Sequence, residues 1–241
     1  MSSSTPAFAV DISLVHLFRD VEKKFEATSL STESWYILMV ACIVASPDPE
    51  LAAQLYIYLR EQYYPTAKSR QGLMRRLREA LVKCVAIIGV CKPIEAVVTI
   101  NEVENDEDKD YTSTRREWQC NKANHEKGME SFERIYASSE KRLKSFDSHR
   151  DFAWLSTEIT YGLYLSDRQV LDEIDSELVV LPAIMMQNLR RETQWHIKGA
   201  RRLGLSKEDM QVVWDCVHSI AGHFGVPLNK LPTIEQVEHN I

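Results

Sequence analysis

The sequence predicts an all-α protein, and three observations carry that expectation. Apolar residues recur at steps of three and four through most of the chain, the spacing that gathers one face of an α-helix. No segment alternates apolar and polar residues with the period of two that a half-buried strand needs. The composition agrees: 44% of the residues are hydrophobic and 27% charged, with only 8 Gly and 8 Pro in 241 residues to interrupt helices.

The first helix is expected over 12–25, where Leu14, Phe18, Val21 and Phe25 share a face. A second begins near Thr32, carries Trp35, Leu38, Met39 and Cys42, and stops before Ser46-Pro47-Asp48-Pro49. Asp48 then caps a third helix, with Pro49 in its first turn, where a missing N–H costs nothing. That helix runs through Leu51, Leu55, Tyr58 and Leu59 to a break at Tyr64-Pro65. A fourth follows over 72–88, ended by Gly89 with Pro93 beyond it. Residues 101–114 form a composition break, in which Glu102, Glu104, Asp106, Glu107, Asp108 and Asp110 make an acidic run with almost no apolar residues. A solvated loop between two halves is expected there. Helices resume over 117–137, 150–163, 168–186 continuing to about 203, and 207–221. Ser206 caps the last of these, and Glu208 and Asp209 suit its positive end.

The two halves share a coarse plan. Trp35 to Ser46, the Glu50–Gln54 segment and Ile88-Gly89-Val90-Cys91 in the first answer to Glu177 to Asn188, the Glu192–His196 segment and Phe224-Gly225-Val226-Pro227 in the second. The division expected is therefore an N-terminal helical extension (1–30), a first, degenerate repeat (31–100), an acidic linker with a connecting helix (101–127) and a second repeat carrying the site (128–241).

A net charge of −6 argues against nucleic acid, because phosphate binding needs a basic stripe. Arg75-Arg76-Leu77-Arg78 and Arg190-Arg191 read as solvated helix faces. No run approaches the ~18–20 apolar residues of a membrane span, and residues 1–6 lack the basic start and apolar block of a secretory leader. Five cysteines, an odd number without regular spacing, suit a reducing compartment. The chain is expected to be cytoplasmic.

Chemistry concentrates around Glu192 and His196. Met185, Leu189, Glu192, His196, Gly199, Ala200 and Leu203 fall on one helical line, opposite Arg190, Gln194, Lys198, Arg201 and Arg202. Two ionisable groups thus sit on an otherwise apolar stripe beside small residues that leave room. A carboxylate there is costly to bury unless it is paired or used. A buried pair that only specifies helix packing satisfies the same pattern. His125, His218 and His223 stand alone, no cysteines form C-x-x-C, and no metal spacing, phosphate loop or nucleophile elbow is present.

The run from Trp195-His196-Ile197-Lys198-Gly199-Ala200 through Gly204-Leu205-Ser206-Lys207-Glu208-Asp209 to His223-Phe224-Gly225-Val226-Pro227 resembles the carboxymuconolactone-decarboxylase repeat of the alkylhydroperoxidase-D superfamily. The peroxidatic branch of that superfamily uses a glutamate, eleven residues, C-x-x-C, three residues and a histidine. With its histidine on His196, the glutamate falls on Glu177, and the two cysteines fall on Leu189 and Glu192. The resemblance therefore implies an alkylhydroperoxidase-D-like helical fold without the redox pair, and no thiol peroxidase activity, since no thiolate is left to attack peroxide. It further implies a homo-oligomer, trimer or hexamer, and a decarboxylase-type site that needs no metal or organic cofactor.

The function expected is general acid–base chemistry on a small organic acid, lactone or ketone, by decarboxylation, isomerisation or dehydration. His196 would move the proton, Glu177 or Glu192 would orient and charge-balance it, and the other would meet substrate. Trp195 and His223 are expected to contact substrate. The competing expectation is a non-catalytic ligand-binding or assembly protein on the same scaffold, since the first repeat already has Trp35 and Gln54 in place of Glu177 and His196. An open pocket lined by Glu192 and His196 favours the enzyme; a fully packed ion pair of the two favours the alternative.

Overall fold

A helix without charged residues has no face to give to water and must be buried all round. The sequence of α2, Ser34–Ala45, has that property, and every one of its residues is buried. The computed structural model describes residues 10–138 and 143–239, all of it helix and connecting loop with no β-strand among the described residues. The leader region considered above, residues 1–6, lies outside them. At the centre α2 packs against α8, Glu173–Met185, which is buried from Asp175 to Met185.

Around this pair lie α1 (Ile12–Phe25), α3 (Ala52–Gln62), α4 (Ala67–Ile88), α5 (Cys91–Val103), α9 (Arg190–Arg202), α10 (Lys207–His223) and the short α11 (Ile234–Glu238). They share one hydrophobic core. Helix α6 (Lys122–Tyr136), α7 (Arg150–Trp154) and the π-helix that continues α7 over Leu155–Leu165 form a second layer against α4, α8 and α9. A smaller apolar cluster, with Phe132, Ile135, Tyr161 and Val180, fills that interface. No helix among the described residues is long and apolar enough to cross a membrane.

Helix α1 is part of the core rather than an appendage. Asp11 caps it, Leu14, Leu17, Phe18, Val21 and Phe25 are buried, and it packs on α2, α3 and α10. Each such apolar side chain contributes roughly 1.5–3 kcal/mol of burial. Asp209 at the start of α10 then fixes the following turn, accepting from Ser29 N at 3.0 Å and Ser29 Oγ at 2.7 Å.

The divisions expected from sequence shift in four places. The fourth helix ends at Ile88 before Gly89 as expected, but it begins at Ala67, and residues 91–103, for which no helix was expected, form α5. Pro93 stands in the first turn of α5, where a backbone N–H would have no intrahelical partner and its absence from proline costs nothing. The helix expected to run unbroken to about 203 is interrupted at Asn188, whose φ of 56° is left-handed. Asn188 holds that turn by accepting from Lys230 N at 2.9 Å and donating to Asn229 Oδ1 at 2.8 Å. The boundary expected between 127 and 128 falls inside α6. Asp48 makes no side-chain cap, and Pro49–Leu51 form a short 3-10 turn before α3.

The acidic run and the basic face of α4 are not separately solvated. Arg70 Nε lies 2.7 Å from Asp108 Oδ1, with the Asp108 side chain wholly buried. Asp110 Oδ2 is 2.9 Å from Arg78 and 3.4 Å from Arg75, and Asp175 Oδ2 is 2.8 Å from Arg76. Asp108 and Asp110 of the acidic run are thus counter-charges to Arg70, Arg75 and Arg78, while Glu102, Asp106 and Glu107, like Arg190 and Arg191, are exposed.

The helix order α2, α3, α4 parallels α8, α9, α10, but the packing is not equivalent. Helix α4 lies against both central helices, whereas α10 packs on α1, α2, α9 and α11. A duplication is not established by this arrangement.

Candidate active site

Helices must approach closely for side chains from four of them to meet, and glycines allow it here. A Cβ at Gly128 of α6 would stand 2.5 Å from the Thr157 carbonyl oxygen and 2.9 Å from Gly162 Cα in the π-helix. A Cβ at Gly199 of α9 would lie 2.8 Å from Ile135 Cγ2 of α6. These contacts set α6 between the π-helix and α9, one turn from His196. A π-helix is wider than an α-helix and is seen mostly as short insertions at functional sites; this one spans 11 residues.

Glu177, from α8, and His196, from α9, meet in the space so formed. Glu177 Oε1 lies 2.8 Å from His196 Nδ1, and both residues are 4% exposed. A carboxylate accepts only, so Nδ1 carries the proton and Nε2 of the neutral ring is the acceptor. Nε2 lies 3.3 Å from the Tyr136 hydroxyl, which lies 3.2 Å from that of Tyr161. A continuous polar chain therefore runs from Tyr161 through Tyr136 and His196 to Glu177.

On the Tyr136 side the chain opens into a cleft of about 220 Å³. Phe132, Tyr136, Tyr161, Trp195 and His196 line it, and Ser156 and Thr160 add hydroxyls from the π-helix. The rings meet edge to face, Tyr136 with Trp195 at 6.2 Å and with His196 at 5.9 Å. Behind Glu177 is a void of about 30 Å³, room for a single water, lined by Ser131, Arg168 and Ser176 among others.

Of the residues singled out by sequence, Glu177, Glu192, Trp195 and His196 come together. Glu192 lines the cleft but does not pair with His196. It is half-buried and makes no hydrogen bond or ion pair with the described residues. His223 is not brought to the cleft: it is exposed at the end of α10, 5.1 Å from the Phe224 ring. Met185 also leaves the proposed stripe, since it belongs to α8 and to the main core. His218 stacks on Trp214 and donates to its carbonyl, and burial lowers its pKa. His125 pairs with Glu158 on the outer side of the π-helix. No cysteine is among the residues lining the cleft; Cys42, Cys84 and Cys216 are buried, and burial pushes their thiols up.

Sequence reasoning missed Tyr136 and Tyr161. They lie 60 and 35 positions before His196, and no spacing rule links helices that meet only through tertiary packing. The available signal was the concentration of aromatic residues in 132–164 on helices carrying Gly128 and Gly162.

The chain is similar to a curated protein of Schizosaccharomyces pombe (strain 972 / ATCC 24843) named Peroxisomal protein 2. The two are 26% identical over 202 residues, covering 79% of this chain and 87% of that protein. No protein-family profile matches the chain, and no solved structure matches it.

Proposed function

We propose that the chain is a cofactor-independent enzyme of the carboxymuconolactone-decarboxylase type, acting by general acid–base chemistry through His196. The observation that carries this reading is the open cleft lined by a histidine whose Nδ1 is held by a buried carboxylate. Nε2 takes a proton from the bound substrate once that substrate displaces the 3.3 Å contact with Tyr136. The imidazolium so formed is stabilised by Glu177 and returns the proton to another atom of the same substrate. The Tyr136 hydroxyl, freed from Nε2, donates to the oxygen on which negative charge develops. Glu177 is the positioning residue, and Glu192 faces the substrate.

The competing reading is a ligand-binding or assembly protein that has kept the scaffold. Its support is that His196 and Glu177 already satisfy one another in a buried pair. The two readings separate on one comparison. On a substrate found by screening lactones, ketones and organic acids, His196→Gln should lower turnover about 10²–10⁴-fold while leaving the fold intact. A His196→Ala protein that keeps full activity removes the enzyme assignment.

The name of the yeast relative supports a peroxisomal location over the cytoplasmic one. Imaging of the tagged full chain in its own cells decides between them. Association as a trimer or hexamer belongs to the same reading and is tested by light scattering of the purified protein.

A further inference from the structure

The cleft carries a charge preference that the acid–base reading leaves open, and the inference that follows rests on that reading. We infer that the cleft selects an uncharged ring carbonyl compound, a lactone or cyclic ketone, over a carboxylate, that Glu192 makes the selection, and that of the acid–base reactions considered above isomerisation or dehydration, not decarboxylation, is the one the cleft serves. Among the described residues that line the cleft there is no lysine or arginine. The acidic and basic groups among its described lining residues are Glu192 and His196, the latter paired with Glu177. Glu177 is occupied by His196 Nδ1, which leaves Glu192 as the lining carboxylate without a counter-charge among the described residues.

The N-terminus of the helix that borders the cleft is itself acidic. Glu192 is the third residue of α9 (Arg190–Arg202), within its first turn, where the free N–H groups and the helix dipole favour a carboxylate. An incoming anion would therefore meet a carboxylate in that first turn, although no side chain caps the free N–H groups. Arg190 and Arg191 precede it but are exposed and do not line the cleft. A substrate carboxylate would have to enter beside Glu192 between aromatic walls, where repulsion is poorly screened.

What the cleft does offer suits a neutral carbonyl compound. Phe132, Tyr136, Tyr161 and Trp195 give apolar faces, and the hydroxyls of Ser156, Thr160 and Tyr136 give neutral donors for a carbonyl or ring oxygen. The volume of about 220 Å³ lies below the usual range for drug-sized ligands and fits one ring.

A matched pair of probes tests the inference: δ-valerolactone, a neutral single-ring lactone, and its ring-opened acid, 5-hydroxypentanoate. Each is titrated into the full chain while the imidazole NMR signals of His196, assigned with His196→Gln, are followed. The lactone is expected to move the His196 signals and the acid to leave them still. In Glu192→Gln the affinity for the acid should rise about tenfold, the equivalent of ~1.4 kcal/mol, with that for the lactone little changed. Binding of the acid to wild type as tightly as the lactone overturns the charge selection and leaves the acid–base reading standing. So does a Glu192→Gln protein whose affinity for the acid is unchanged. If neither probe moves His196 in wild type or variant, both the selection and the functional reading fail. The wild-type comparison decides the matter by itself if the variant does not fold.

Discussion

His196 Nδ1 and Glu177 Oε1 are joined at 2.8 Å between two helices, nineteen positions apart in sequence, with both side chains shut away from solvent. A donor in that setting is expensive to leave unpaired. Glu177→Ala should therefore lower stability by roughly 1–3 kcal/mol in urea denaturation. Glu177→Gln, whose amide oxygen can still accept from Nδ1, should cost less than half as much. Equal losses for the two variants would mean that packing volume, not the hydrogen bond, is what Glu177 contributes.

That pair also marks how far the sequence could be read. The spacing of the family pattern that the sequence resembles puts Glu177 and His196 in one site, and the structure brings their side chains together. Helix α2 was legible because twelve residues without a charge leave no alternative to burial. Helix α5 was not, because Pro93 is a stop in the middle of a helix but tolerated in its first turn. The acidic run misled for a different reason: Asp108 and Asp110 looked solvated because their partners, Arg70 and Arg78, lie more than thirty residues away. Tyr136 was invisible for the same reason, its contact with His196 being created by the close crossing of α6 and α9.

Close crossing can be tested at the glycines that permit it. In Gly128→Ala the new methyl would meet backbone atoms, the Thr157 oxygen at 2.5 Å and Gly162 Cα at 2.9 Å, and backbone cannot swing aside as a side chain does. A loss of about 1–3 kcal/mol or more is expected, with chemical-shift changes that reach Tyr161 and His196. Gly222 supplies the control, because a methyl there meets nothing within 4 Å and its φ is not positive. Gly222→Ala should stabilise α10 by ~0.5–1 kcal/mol through the lost freedom of the unfolded chain. Two variants with the same melting temperature would contradict the tight α6–π-helix crossing.

The end of the π-helix is held by a charge that the core does not easily tolerate. Lys83, on α4, is wholly buried and donates to the carbonyls of Tyr164 at 3.3 Å, Leu165 at 3.1 Å and Asp167 at 2.7 Å. Glu79 lies 3.4 Å from it and is also clasped by both Arg115 nitrogens at 2.6 Å. Burial nevertheless wins over the Glu79 attraction and brings the Lys83 ammonium down to about 8. A lysine in the unfolded chain titrates near ~10.4, so between these two values the unfolded state binds more protons than the native one. Stability then rises with pH across that window. The cost of burying the charge is fully present below pH ~8 and has gone by pH ~10.5, a span worth about 3 kcal/mol. Lys83→Met removes the titration while filling the same space. The stability of wild type minus that of Lys83→Met, from urea denaturation at several pH values, should climb by ~2–3 kcal/mol from about pH 7.5 to about 10.5. Taking the difference cancels the tyrosines and surface lysines that titrate in the same range. A flat difference would mean that the carbonyls and Glu79 compensate the ammonium in full, leaving Lys83 an ordinary lysine at the end of the π-helix.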